Sequence, residues 1–253
     1  MKYEEAVEYV ESRLSQSVRR DFLDIDRKTA GEVFDNSTVM SIYYLMSRGY
    51  VDALDFPIST GKEGNVFRGR DKKGRMVAVK IYRIATGNFR KMRSYIEGDP
   101  RFKGITHDHR RLVYRWAMKE FNNLERMVGS GIRVPIPIAQ KDNVLIMEYI
   151  GTEEQPAPLI KDVDFDVRKG FDFIVDAMRK MYTDAKLVHG DISEYNILAN
   201  GDEFVLIDVS QAVHLKHPAS AELLERDVRN VVRYFGKKGI ERDEDDIMKR
   251  VRD

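Results

Sequence analysis

Apolar residues recur at helical spacing at Tyr3, Ala6, Val7, Val10 and Leu14, which predicts a short amphipathic helix before a polar stretch rich in arginine and aspartate. A second helix is expected from Asn36 or Ser37 to Arg48, with Ser37 as its N-cap and Gly49 as its stop. The period then shortens to two. Phe56 to Ser59, Asn65 to Arg70 and Met76 to Tyr82 read as strands, and Gly61, Gly64, Gly69 and Gly74 mark the hairpin turns of a small antiparallel sheet. From Arg83 to Arg111 the pattern dissolves into a basic stretch, expected as a mobile loop or loose helix. Helical periodicity returns from Leu112 to Val128, stopped by Gly129 and Gly131, and Pro135 and Pro137 lead into a strand from Val144 to Met147. Beyond a spacer around Pro156 and Pro158 come a helix from Asp164 to Thr183, strand signals near Leu187 and from Phe204 to Val209, and a helix from Ala219 to Phe235. A strand-rich first half and a helix-rich second half imply two lobes with a hinge near Glu148 to Gly151.

Composition narrows the classes of function. The chain has 253 residues with 43 lysines and arginines against 42 acids, so any electrostatic preference must be local. It has no cysteine, which excludes a disulfide framework, a thiolate zinc site and a cysteine nucleophile. The acidic, amphipathic opening does not read as a signal peptide, and the longest apolar run, Ile42 to Met46, is far short of a bilayer span. A cytoplasmic chain without a membrane anchor is expected.

The strongest chemical signal is the order His189-Gly190-Asp191-Ile192-Ser193-Glu194-Tyr195-Asn196, then Ile197-Leu198, then Ile207-Asp208. Phosphoryl transfer needs a carboxylate to orient the attacking hydroxyl, and an amide oxygen with a second carboxylate to hold the metal ions that neutralise the phosphates. Those three ligand types stand here in that order, at about the separation a kinase catalytic loop requires. A surface turn is the plainer alternative, since HGD and EYN are good turn formers.

Upstream, Val77-Ala78-Val79-Lys80 matches the strand whose lysine reaches the phosphates. Alternation puts Ala78 and Lys80 on one face, where the small residue leaves room for a flat ring. The lysine wants a carboxylate from the following helix. Glu120 projects from an apolar stripe made by Trp116, Ala117, Leu124 and Met127, and a carboxylate there needs a partner; Glu125, beside Phe121 and Val128, is the alternative. A phosphate cover is expected between the first two strands, at Ser59 to Val66, with Ser59, Lys62 and Val66 as contacts, although only Gly61 and Gly64 are present. At the hinge, Glu148 and Ile150 would offer main-chain groups to adenine, with Met147 beside them.

Together STGKEGNVF (Ser59 to Phe67), VAVKIYR (Val77 to Arg83), LVHGDISEYNIL (Leu187 to Leu198) and IDVSQAV (Ile207 to Val213) resemble the RIO family of atypical serine/threonine protein kinases, specifically its first subfamily. The resemblance spans essentially the whole chain. It implies an α+β, two-lobed protein-kinase-like fold: a helical extension over 1–50, a small antiparallel-sheet N-lobe over 51–150 with a basic flexible loop at 83–111, and a mainly helical C-lobe over 151–253. It also implies Asp191 as catalytic aspartate, Asn196 and Asp208 as metal ligands, Lys80 as phosphate lysine, and ATP with Mg2+ or Mn2+ as cofactors. Two departures from ordinary protein kinases stand out: Ile-Asp-Val-Ser-Gln replaces D-F-G, and no A-P-E follows Asp208, so a C-lobe trimmed of its peptide-binding subdomains is expected.

By the same resemblance, serine autophosphorylation and an ATPase cycle with a phosphoaspartate at Asp208 are implied, in maturation of the small ribosomal subunit. Arg90, Lys91, Arg93, Arg101, Lys103, Arg110 and Arg111 are candidates to meet ribosomal RNA, and Thr86, Ser94 and Thr106 to take the phosphate. Two other readings are a small-molecule phosphotransferase of the aminoglycoside or choline kinase kind, which also uses H-G-D, and an assembly factor whose ATP gates docking on RNA.

Overall fold

The computed structural model describes residues 3–23, 34–61, 63–85, 89–102 and 108–253. By contact the chain falls into two compact units, the first formed by 1–92, 106–121 and 136–153, the second by 93–105, 122–135 and 154–253. The described residues ahead of the sheet thus group with it, and each unit draws on three stretches of chain.

In the first unit, α1 (Tyr3–Glu11), α2 (Gln16–Leu23) and α3 (Asn36–Ser47) accompany a five-stranded antiparallel sheet, β1 (Ala53–Thr60), β2 (Gly64–Arg70), β3 (Met76–Tyr82), β4 (Pro137–Lys141) and β5 (Val144–Glu148), in the order β1-β2-β3-β5-β4. The helix α2 lies where only a polar stretch was read, and β4 was not anticipated: it opens on a proline, which an edge position tolerates because no ladder donor is needed there. The N-cap of α3 is Asp35, not Ser37. Its Oδ1 accepts from Thr38 N at 2.8 Å, while the Ser37 hydroxyl donates to the same oxygen at 2.9 Å and so supports the cap. Gly49, at φ +79, ends the helix as expected.

One face of the sheet, through Phe67, Val77, Val79, Ile81, Val144 and Ile146, joins Val10, Phe34, Val39, Ile42 and Met46 in a continuous core. At the β4–β5 turn Asn143 Nδ2 donates to Thr38 Oγ1 and to the Tyr82 carbonyl, both at 2.8 Å, fixing this hairpin to α3 and β3.

Within the described part of the basic stretch, the helical alternative holds over one segment. Phe89 to Glu97 form α4, whose Met92, Tyr95 and Ile96 are buried, so an apolar face hidden among the arginines stabilises the helix. The long helix α5 runs His109–Gly129.

In the second unit, α6 (Val167–Lys180) is capped by Asp166, continues as a π turn over Met181–Ala185 and ends at Lys186, φ +56. Two small antiparallel pairs follow, β6 (Leu187–Val188) with β9 (Val213–His214), and β7 (Ile197–Asn200) with β8 (Glu203–Leu206). Two helices complete the unit, α7 (Ser220–Lys237) and α8 (Glu244–Arg252). The apolar faces of α6, α7 and α8 meet around Phe171, Ile174, Val231, Phe235, Ile247 and Val251, with the Phe171 and Phe235 rings edge to face at 5.4 Å. The sequence pattern gave no sign of α8, because only Ile247 and Val251 of its nine residues are buried; acids in its first turn and bases in its last favour it instead.

Candidate active site

In the first unit the site begins on β3. Its core-facing residues are Val77, Val79 and Ile81, so Ala78 and Lys80 take the other face, opposite Met147 and Leu145 of β5 and, on β2, Arg68 and Val66. Lys80 Nζ lies 2.9 Å from Glu120 Oε1 of α5, and the Tyr82 hydroxyl donates to Glu120 Oε2. The Glu120 side chain is 2 % exposed and that of Lys80 13 %, so this is a nearly dry ion pair whose members hold each other in place. Glu125, the alternative, faces solvent.

Ser59 sits near the exposed end of β1 in register with Val66, and Lys62 lies outside the described residues. Glu148 closes β5 opposite Val77. Its N–H donates to the Ile136 carbonyl at 2.8 Å and its Oε2 accepts from Ile136 N at 3.1 Å, so both are engaged within the unit. Met147 is half-buried and Ile150 buried.

In the second unit the chain leaves β6 at buried His189, turns at Gly190 with φ +79, and presents Asp191. One helix fixes this backbone. From α7, Asp227 accepts from Gly190 N at 2.7 Å and Ile192 N at 2.9 Å, Arg226 donates to the Gly190 carbonyl and to Tyr95 Oη, and Asn230 Nδ2 donates to the Ile192 carbonyl at 3.1 Å. Burial pushes the Asp227 carboxyl up to about 7, with the Asp191 charge adding to the shift and the two N–H donors and Arg226 opposing it.

Asn196 is held by its own loop, its Oδ1 accepting from Ser193 Oγ at 2.7 Å. Asp208 adopts the left-handed conformation, φ +56 and ψ +61, and heads a 3-10 turn over Val209–Gln211. From that turn Ser210 Oγ donates to Asp208 Oδ1 at 3.1 Å, and Gln211 Nε2 donates to Asp191 Oδ2 at 2.7 Å. Buried Asn123 of α5 supports the turn, its Nδ2 donating to the carbonyls of Val209 at 2.8 Å and Ala212 at 3.0 Å, while its Oδ1 accepts from Arg101 at 2.8 Å.

Asp208 and Asn196 supply oxygen only. Among the described residues no group of three or more His, Cys, Asp or Glu is disposed around a metal. That donor set fits Mg2+, which takes one or two protein oxygens and completes its shell from phosphate and water.

Several of these residues escaped the sequence reading: Gln211, Asn123, Arg226, Asp227 and Asn230. For Asp227 a signal was there. It lies between Leu223, Leu224, Val228 and Val231 on an apolar stripe, the same circumstance that singled out Glu120. Of the arginines considered for RNA, Arg101 forks onto Asp99 at 2.9 and 2.6 Å besides Asn123, Arg110 lies 3.2 Å from Asp35, and Arg93 and Arg111 stand near Glu97 and Asp108. Arg90 is exposed and Lys91 half-buried; Lys103, Thr86 and Thr106 lie outside the described residues.

A small antiparallel sheet bearing a lysine–glutamate pair, and a helical unit bearing two aspartates and an asparagine, define an α+β protein-kinase-like fold. The model of the family described as RIO domain matches residues 65–247. The chain is 43 % identical to the RIO-type serine/threonine-protein kinase Rio1 of Haloferax volcanii, covering 93 % of this chain and 84 % of that one. It is 41 % identical to the protein of the same name from Methanocaldococcus jannaschii, covering 91 % and 79 %. The fold is similar to that of the Rio2 kinase–ADP/Mg2+–phosphoaspartate complex from Chaetomium thermophilum, with a TM-score of 0.66 at 21 % identity over 89 % of this chain and 68 % of that one. The chain therefore belongs to the RIO kinase family, in its Rio1 subfamily. Among the described residues no helix is long and apolar enough to cross a membrane.

Proposed function

We propose that this protein transfers the γ-phosphoryl group of ATP to a serine or threonine hydroxyl, on a protein substrate or on its own chain, and that it also hydrolyses ATP. The observation that carries this reading is the pair of separately oriented aspartates, Asp191 bonded by Gln211 and Asp208 by Ser210, beside Asn196. Two carboxylates held by different donors can take different roles. Asp191 accepts the proton of the attacking hydroxyl as its oxygen bonds to phosphorus, and the electron pair of the breaking P–O bond leaves with ADP. Asp208 and Asn196 are the residues that hold Mg2+, which supplies positive charge against the phosphate oxygens when bound. Lys80, kept in place by Glu120, meets the phosphates from β3, with Ser59, Lys62 and Val66 covering them and Met147, Glu148 and Ile150 beside the adenine.

In the hydrolytic branch the Asp208 carboxylate itself takes the phosphoryl group, and water then releases it as inorganic phosphate. We place this activity in the cytoplasm, in maturation of the small ribosomal subunit, with Arg90 and Lys91 among the groups facing RNA phosphates. The test is incubation of wild type, Asp191→Asn and Asp208→Asn with γ-labelled ATP and Mg2+, following free phosphate, acid-stable label and hydroxylamine-sensitive label. Wild type is expected to give both kinds of label; loss of hydroxylamine-sensitive label in Asp208→Asn supports the phosphoaspartate. A wild type that transfers nothing overturns the enzyme reading.

A further inference from the structure

One three-residue turn serves both aspartates, and its last residue has the more unusual environment. Gln211 is 5 % exposed. Its Nε2 donates to Asp191 Oδ2 at 2.7 Å, while its Oε1 is buried and meets no donor among the described residues. A buried amide oxygen without a donor is unfavourable, so a structural glutamine would turn its amide over or be replaced by an apolar residue of like shape. This orientation persists because the other end of the amide donates to a carboxylate, and charge-assisted bonds are the stronger kind. The turn is itself fixed from beneath by the Arg101–Asn123 relay to the carbonyls of Val209 and Ala212, so Gln211 is delivered to Asp191 from a rigid base.

We propose that Gln211 is the positioning residue for Asp191. By occupying Oδ2 it fixes the rotation of the carboxylate and leaves Oδ1 to receive the proton of the acceptor hydroxyl. The role rests on the phosphoryl-transfer reading above. Misplacing a reacting group by about 1 Å costs on the order of 10²-fold in rate, so an unanchored Asp191 should lose kcat rather than nucleotide affinity.

The test is Gln211→Met, similar in length and volume but unable to donate. Because it also removes the buried oxygen without a donor, the variant should unfold at a temperature equal to or above that of wild type. Its kcat for phosphoryl transfer should fall by about 10²-fold while the KM for ATP stays within about twofold, and Gln211→Glu, which sets one carboxyl against another, should fall at least as far. A stable Gln211→Met variant with the kcat of wild type overturns the proposal, as does a rise in KM at constant kcat. Inactive wild type overturns the kinase reading and this inference with it, whereas active wild type beside an unimpaired variant overturns the inference alone.

Discussion

Replacing Asp227 by asparagine changes the charge of the residue that anchors the catalytic loop and almost nothing of its shape. Asp227 is 1 % exposed, and burial raises its carboxyl from an ordinary 3.8 to about 7. Between those values the folded protein holds a proton that the unfolded chain has released. The contribution of Asp227 to stability is therefore full below about pH 3.8 and is lost as pH rises through about 7. Asparagine does not titrate, so the stability difference between wild type and Asp227→Asn reports this group together with its coupling to Asp191. Integrated from about pH 5 to about pH 8, wild type gives up on the order of 2–3 kcal/mol relative to the variant. Urea unfolding of both proteins at intervals across that range, analysed at a common slope, measures the difference directly. A gap that stays constant, or that moves in favour of wild type as pH rises, would show that the two backbone donors and Arg226 keep the carboxylate ionised, and would refute the argument from burial.

Three further outcomes are expected. Gly98→Ala would place a Cβ 2.6 Å from both His217 Nε2 and Pro218 Cδ, so it should lower stability by about 1–3 kcal/mol in denaturant unfolding. Asn123→Leu removes the donor to two buried carbonyls and the acceptor for Arg101; a loss of about 2–4 kcal/mol should accompany slower phosphoryl transfer in the labelling assay. Lys80→Met should cut kcat/KM for ATP by at least about 10²-fold and, by removing the cation beside the buried Glu120 carboxylate, cost about 3–5 kcal/mol, much of which Lys80→Met with Glu120→Gln should restore without restoring activity. A double variant no more stable than the single one would exclude Glu120 as the source of the loss.

How much of this was legible from the sequence follows from how local the cause is. The alternation in MVAVKIY sets which side of β3 carries Lys80, because a strand has only two faces. Glu120 was legible because a carboxylate on an apolar stripe demands a partner wherever it sits. Cap identity was less so: Asp35 and Ser37 are both good N-caps, and the backbone at Asp35, φ −65 and ψ 165, decides between them. The helix α4 was obscured by the arginines on its outer side, since a short helix with three buried residues carries little periodic signal. Nor did anything local mark Gln211 and Asn123, whose partners Asp191 and Val209 are distant in sequence.

The sheet order β1-β2-β3-β5-β4 also bears on how the chain folds. Two pieces, β1-β2-β3 and β4-β5, are made of sequence neighbours, whereas the join between β3 and β5 must wait for residues 83–143 to be drawn back. Closing a flexible loop of that length costs about 3.5 kcal/mol of chain entropy before the join returns any contact. The β3–β5 pairing is therefore expected to be the late, rate-setting event for the first unit, with substitutions along it slowing folding more than equally destabilising ones inside either hairpin. Because residues 93–105 and 122–135 of that excursion group with the second unit, no single cut of the chain yields either unit intact.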